Sequence, residues 1–553
     1  MSAKPRPVVA LKRRRKTNCL GEAHIGEKEP TPLRERGLLM VHRSLDALTN
    51  NNSILGEFSM KRNIFRYISR LIKPICIFFL LSITTVGWSQ NEVTELFASD
   101  AATFDGFGGN CSIDGDTAII SAMSNDDEGL STGSAYIFQQ DPLDPDSWDE
   151  IHKLLPEDAQ AGARFGSAVS ISSDFVIVGA SAHDVHFTDT GAVYIFYRNQ
   201  GGANEWGQVA KLTASDGAQG DMFGSSVSIS GDVVIVGAVL DDDNGNISGS
   251  AYVFVKPSGG WEDMTQTAKL TASNGAALDH LGGCVSISGD TAVAGAWGDD
   301  DNGFYSGSAY VFVKDSGGWD DMTQTAKLTV SDGAASDRFG NSVSISGDVI
   351  IVGAWTDDDS GDGSGSAYVF VKDSGGWDDM TETGNLSASD GAAGDELGGA
   401  VSIRGDTVIV GAAFDDDNGS LSGSAYLFEK PSGGWQNATE DAKFTASNGE
   451  AGDLFGVSLS ISGDYAIVGS VSSDNAPPAF APGSAYVFDS VCPCPWDLDS
   501  TDQVDIFDLL DLLGQWGGDP GGPPDFDDDG DVDTTDLLAL LANWGNCPCV
   551  EGP

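Results

Sequence analysis

Short apolar runs, broken by glycine and aspartate, recur along most of the chain in a fixed phase. In SVSISGDVVIVGA (residues 226–238) two β-branched runs meet at Gly231-Asp232, the signature of a tight hairpin. GSAYVFVK (249–256) supplies a third run with alternating small and large residues. A turn containing GGW follows, and AKLTAS (268–273) makes a fourth run. The dipeptide Phe-Gly or Leu-Gly begins each unit at Phe107, Phe165, Phe223, Leu281, Phe339, Leu397 and Phe455, always 58 residues apart. The turn aspartates Asp116, Asp174, Asp232, Asp290, Asp348, Asp406 and Asp464 keep the same interval. Seven copies in register define a repeat architecture.

Four antiparallel strands per unit predict an all-β, seven-bladed β-propeller over residues 94–491. One four-stranded sheet cannot bury both of its faces, whereas stacking seven around an axis gives each face a neighbour. The last copy ends at AYVFDSV (485–491) without its fourth run, and TELFASD (94–100) precedes the first copy. The N-terminal run is therefore expected to complete the last blade and close the ring, leaving no unpaired edge. An open solenoid is the alternative; it needs capping repeats, which the pattern lacks.

Charge divides the chain. The formal net charge is −54, yet residues 1–90 carry 16 Lys+Arg against 6 Asp+Glu, leaving 13 against 77 in the remainder. An acidic surface of this kind repels nucleic acid and attracts divalent cations. Residues 60–90 have a basic start, an apolar run from Ile75 to Val86, and the small residues Gly87 and Ser89. This is the layout of a secretory signal peptide, and about a dozen apolar residues are too few to span a bilayer. The basic, unpatterned stretch 1–59 fits poorly in front of it. Translation is expected to begin at Met60, with 1–59 a mis-assigned or disordered extension. The mature protein is then secreted, with no stable membrane span, and is extracellular or held at the cell surface. Cys492/Cys494 and Cys547/Cys549 form two CPC clusters around one short segment. They are disulfide candidates in an oxidising compartment, a four-cysteine zinc site being the alternative. Cys111 and Cys284 lie in strand-like runs and are expected to be buried and inert.

A DDDNG-type loop joins the second and third runs in four units, and all such loops should emerge on one rim. Its first and third aspartates, Asp241/Asp243, Asp299/Asp301, Asp357/Asp359 and Asp415/Asp417, are candidate calcium ligands, because adjacent carboxylates repel unless a cation screens them. The competing expectation is a solvated turn in which aspartates accept backbone N–H groups. The recurring Trp261, Trp319, Trp377 and Trp435 suggest either packing between blades or sugar stacking, and packing is the stronger expectation.

The phased FG, SVSISGD, VIVGA and GSAYVF motifs resemble FG-GAP repeats, the blades of the integrin alpha-chain propeller and of many secreted bacterial proteins. In the integrin-like version a D-x-D-x-D-G calcium loop separates the first two strands. Here only the Gly231-Asp232 type of turn stands there, so that calcium site and its ligand binding do not carry over directly.

Residues 492–553 change character. DLDSTDQVDIFDLLDLLGQWG begins at Asp497, and DFDDDGDVDTTDLLALLANWG begins 28 residues later at Asp525. Each is an acidic loop leading into an apolar helix. In the second copy Asp525, Asp527, Asp529, Asp533 and Asp536 occupy positions 1, 3, 5, 9 and 12, Asp531 offers its backbone carbonyl, and Gly530 makes the turn; this is calcium-loop spacing. The first copy has Asp497, Asp499, Thr501, Gln503, Asp505 and Asp508 in the matching positions and is expected to bind more weakly. The paired loop–helix layout resembles a dockerin, the small α-helical calcium-folded module that docks on cohesin domains. That resemblance implies Ca2+ as cofactor, a cohesin-like partner, and partner contacts at Ile506-Phe507 and Thr534-Thr535.

No catalytic constellation emerges. His183 and His186, in the HDVH loop, could hold a metal, though such pairs are more often surface residues. The expected function is a secreted, non-enzymatic binding or scaffold protein whose rim meets an extracellular protein or glycan ligand and whose tail docks through calcium. The alternatives are a component of extracellular polysaccharide degradation and an integrin-like cell-adhesion protein.

Overall fold

The third repeat shows how one unit folds. Phe223–Ser230, Val233–Ala238, Ser250–Val255 and Ala268–Thr271 form an antiparallel sheet in chain order. Gly231 supplies the left-handed residue of the first turn, at φ +57°. The second and third strands are covered on both faces, so they read as nearly continuous apolar runs. The inner strand alternates and leaves its serines half-covered.

In the computed structural model the described residues are 92–489, apart from 201, 203–204, 464 and 474–480, together with 503–504, 512 and 545–546. Among them are seven such sheets, one per blade. The inner strands of blades one to seven are Phe107–Asp114, Phe165–Ser172, Phe223–Ser230, Val285–Ser288, Ser342–Ser346, Ala400–Arg404 and Phe455–Ser462. Each inner strand lies against the next, and the seventh lies against the first. The outer strand of blade seven is Glu92–Leu96, from the start of the described chain; it pairs antiparallel with Ser484–Asp489, Leu96 opposite Ala485. The fold is an all-β, seven-bladed propeller closed by its N-terminal strand.

Blades share their cores. Val193, Ile195 and Leu212 of blade two pack in one buried cluster with Tyr252, Phe254 and Trp261 of blade three. Across the closure, Leu96, Ile467 and Val487 pack with Phe107, Tyr136 and Trp148. Trp261, Trp319, Trp377 and Trp435 are all buried in such inter-blade clusters, so these indoles are core and offer no stacking face to a sugar.

Two rings of hydrogen bonds register the blades. On the inner strands, the hydroxyls of Ser112, Ser170, Ser228, Ser286, Ser344, Ser402 and Ser460 accept the backbone N–H of Ile171, Ile229, Ile287, Ile345, Ile403, Ile461 and Ile113, at 3.2–3.3 Å. Farther out, a side chain 51 residues ahead accepts the N–H of a residue two or three positions past the outer strand: Glu150 for Ser99, Gln266 for Ser215, Gln324 for Ser273, Glu382 for Ser331 and Glu440 for Ser389. Gln208 does the same for Glu157, and Glu92 closes the ring on Ser447 at 2.8 Å.

The close approach of blades demands glycine in the second strand. A Cβ on Gly295 would collide with the carbonyl oxygen of Gly340 in the next blade.

The segments 1–59 and 60–90 lie outside the described residues, as do Cys492, Cys494, Cys547 and Cys549 and the tail candidates Asp497, Asp499, Thr501, Asp505, Asp508, Asp525, Asp527, Asp529, Asp531, Asp533 and Asp536. Within the tail, Gln503–Val504 pairs antiparallel with Gly545–Asn546, and Leu512 is buried. Among the described residues no helix is long and apolar enough to cross a membrane.

Replacing Gly295 by Ala is expected to cost about 2–3 kcal/mol in urea denaturation, from backbone overpacking. Gly259→Ala, where nothing lies within 4 Å of the added carbon, should change stability by less than about 0.5 kcal/mol.

Candidate functional site

The loops between second and third strands share one rim with the loops that lead from each outer strand to the next blade. Their acidic residues meet there. In blade three Asp241 is only 3 % exposed. Its carboxylate accepts the Tyr252 hydroxyl at 2.7 Å, the Ser250 hydroxyl at 3.2 Å and the Asp243 N–H at 3.1 Å. From the outer strand, the Lys269 ammonium donates to Asp241 at 3.0 Å, to Asp243 at 2.5 Å and to Asp216 of the preceding loop at 2.7 Å. The same ammonium lies 5.0 Å from the centroid of the Tyr252 ring, within cation–π range.

Burial pushes the Asp241 carboxyl up, but the Lys269 charge and the bonds from Tyr252 and Asp243 outweigh it and hold its pKa below the ordinary value. Burial depresses the Lys269 ammonium, and its bonds to Asp216, Asp243 and Asp241 more than restore it, so its pKa is raised. Burial, followed by the Asp241 charge, raises the Tyr252 phenol, which keeps it a donor.

Asp216, Asp241 and Asp243 present oxygens within 4.8 Å of one another, a grouping that could hold a metal ion. The first and third aspartates of the loop do converge, but on an ammonium. A calcium ion there would have to displace Lys269. The same holds for Asp299 and Asp301, gripped by Lys327 at 3.1 and 2.5 Å. It holds again for Asp415 and Asp417, gripped by Lys443 at 3.1 and 2.5 Å. At these six residues an internal salt bridge occupies the place expected for calcium, because the outer strand delivers its own cation. Nor is the loop a fully solvated turn, since its first aspartate is buried. Blades one and two keep a reduced version, with Lys153 on Asp100 and Asp127, both at 2.6 Å, and Lys211 on Asp158 at 2.5 Å. Only blades five and seven lack a lysine at this position: Asn385 stands in blade five and Glu95 in blade seven.

His183 fills the buried aspartate position in blade two; burial lowers its pKa, and its ring lies 3.5 Å from Asp158. His186 is exposed, so the two histidines part and one of them is core. Cys111 is buried, with its thiol pushed up to about 12 by burial. Cys284 is partly covered, and burial raises its thiol too. On the opposite rim, exposed pairs such as Lys372–Asp348, 2.8 Å apart, contribute at most about 1 kcal/mol each.

The lysine and the tyrosine were not anticipated as partners of the loop. Both repeat at the loop's own 58-residue interval, and that shared phase was the available signal.

The family model for the FG-GAP repeat matches residues 88–138, 148–196, 206–254, 264–312, 322–370, 380–428 and 438–488. The chain belongs to the FG-GAP repeat family. Each matched FG-GAP unit runs from the outer strand of one blade through the third strand of the next. Sequence repeat and structural blade are thus offset by one strand, which is how the first unit comes to finish the last blade. No curated protein matches the chain.

Replacing Lys269 by Met strands the buried Asp241 carboxylate. It is expected to cost about 3 kcal/mol in urea denaturation, and Asp241→Asn in the same chain should recover part of that loss.

Stability should also depend on pH with a definite sign. Asp279 and Asp337 are each raised to about 6, by burial first and then by neighbouring loop aspartates. They hold a proton in the folded state where the unfolded chain has lost it, so stability rises as pH falls from about 6 toward 4. The lowered Asp241, Asp299 and Asp415 stabilise above the ordinary value of 3.8 and lose that contribution as pH falls through their folded values. Urea denaturation in chelator is expected to place the stability maximum between about pH 4 and 6; a maximum above 7 would contradict this.

Proposed function

We propose that the protein is a secreted, non-enzymatic binding platform. Its propeller rim meets an extracellular protein or glycan, and the segment 492–553 docks through calcium. The reading is supported above all by where apolar side chains are left in water. Leu130, Phe187, Phe304 and Leu421 are 78 %, 58 %, 63 % and 40 % exposed, and all lie on loops between second and third strands. Those loops diverge in sequence while the strands around them barely change. A repeated scaffold with apolar loop tips that differ from blade to blade on one rim is the arrangement of a surface that meets a partner. FG-GAP propellers are a binding and adhesion type of platform, and the acidic setting adds affinity for cations and cationic groups.

The test is capture of native extracellular protein and glycan by the immobilised full chain. Phe304→Ser combined with Leu130→Ser is expected to reduce capture at least about tenfold, as loss of anchor contacts does. Asp232→Ala, on the other rim, should leave it unchanged. A chelator should release only what the tail holds. Equal capture by the rim variant, or release of sugars from glycan by the purified chain, would overturn the reading.

A further inference from the structure

Blade four carries a column of aromatic rings on the loop-bearing rim. The His280 imidazole lies face to face with the Trp297 indole, with centroids 3.9 Å apart and planes 12° from parallel. Trp297 meets the Tyr305 ring at 5.7 Å, and Tyr305 meets Phe304 at 4.2 Å. The foot of the column is buried, His280 being 8 % exposed, and its tip stands in water, Phe304 being 63 % exposed. Trp297 and Tyr305 between them are half-buried. The loop that carries the tip is tied down. The Gly307 N–H donates to the Asp299 carbonyl at 2.9 Å, and the Phe304 and Tyr305 carbonyls accept the N–H groups of Ser336 and Arg338 at 2.9 and 3.0 Å. An exposed phenyl ring is thus held in place before any ligand arrives, which lowers the entropic cost of binding.

The other blades fold without these rings. At the Trp297 position blades two, three and six carry Ser181, Val239 and Ala413. At the Tyr305 position blades one, three and five carry Ser131, Ile247 and Gly363. Tyr305 takes φ +56°, a left-handed conformation uncommon for a bulky side chain, which Gly363 adopts freely in blade five. Phe304 stands where three other blades have Asn246, Asp362 and Ser420. The column is therefore an addition to the blade and not a requirement of its core.

Charge around the column selects the ligand. Asp300 is exposed in the same loop, and the chain beyond residue 90 carries 77 acidic against 13 basic residues. Burial lowers the pKa of His280, so no positive charge lies under the rings at neutral pH. The face of an aromatic ring is negative; it attracts the slightly positive C–H face of a pyranose and, more strongly, an ammonium. Carboxylates nearby favour the ammonium and repel a uronate or a sulfate. The same rim already uses this chemistry internally, since the Lys269, Lys327 and Lys443 ammoniums lie 4.9–5.3 Å from tyrosine centroids and beside carboxylates. We propose that the column of His280, Trp297, Tyr305 and Phe304 is a subsite for an amino-sugar glycan, a pyranose chain bearing free ammonium groups. One sugar ring stacks on Phe304, and its ammonium is drawn to Asp300. The proposal rests on the reading of this rim as a binding surface and names one ligand class for it.

The test is calorimetric titration of the full chain with a soluble glucosamine oligosaccharide, its fully N-acetylated form, an oligouronate and an oligolysine peptide. The glucosamine oligomer should bind, the N-acetylated form at least about tenfold more weakly, and the oligouronate not at all. Trp297→Ala and Tyr305→Gly install the residues that blades six and five carry, so the fold should tolerate them; each should weaken glucosamine binding about tenfold or more. Leu143→Ser removes a 92 % exposed side chain from the turn between the third and fourth strands of blade one, on the opposite rim, and should leave binding unchanged. Glucosamine binding that is absent, or that Trp297→Ala and Tyr305→Gly do not alter, would overturn the proposal. So would oligolysine that binds as tightly and is lost in the same variants, which would assign the column to a basic protein segment. Capture of native extracellular material by the rim without glucosamine binding would sink this ligand class and leave the platform reading standing.

Discussion

Each blade buries its two faces only against its neighbours, and that constraint governs the rest of the molecule. The second and third strands are apolar on both sides, so an isolated sheet would expose as much oily surface as it covers. Stacking removes that exposure for every blade except the two at the ends of a row, and closing the ring removes the ends. The serine hydroxyls of the inner strands and the Glu and Gln side chains farther out add little energy singly, about 1 kcal/mol each. They do set the register, because each donor finds its acceptor only when neighbouring blades sit at one height. Gly295 and its equivalents belong to the same constraint, since the sheets pass too close for a side chain at that point.

The ring must also manage its charge. Crowded carboxylates on one rim would repel one another and loosen the blades they join. The protein answers with a lysine from the outer strand, which in blades one, three and six grips the loop of its own blade and the preceding loop together. The clasp is therefore electrostatic and also a link between blades. Because the aspartate it neutralises is buried, the lysine offsets the cost of burying that charge in blades three, four and six. Blade five keeps the aspartate and exchanges the lysine for Asn385.

The fold was almost wholly legible before any coordinates. The 58-residue interval gave seven units, the Gly231-Asp232 turn gave the hairpin, and the matching of 94–100 with the missing last strand gave the closure. Packing of the GGW tryptophans was legible too, since a large apolar residue repeated beside the outer strand in four blades has core as its ordinary place. The rim was only half legible. Three adjacent aspartates announce a need for positive charge, but Asp241 and Lys269 are 28 residues apart, with a full strand between them. Nothing local connects the two.

What the sequence by itself determined is periodic: strand count, turn type, blade number and the offset that lets the first strand finish the last blade. These follow from the spacing of apolar residues and glycines, which acts along the chain. What only the tertiary structure decided is which charges meet. Whether an acidic loop faces water, a metal or an ammonium depends on which side chain the neighbouring strand and the preceding loop deliver. That is settled by sheet register and blade stacking, where residues far apart in the chain come within about 3 Å.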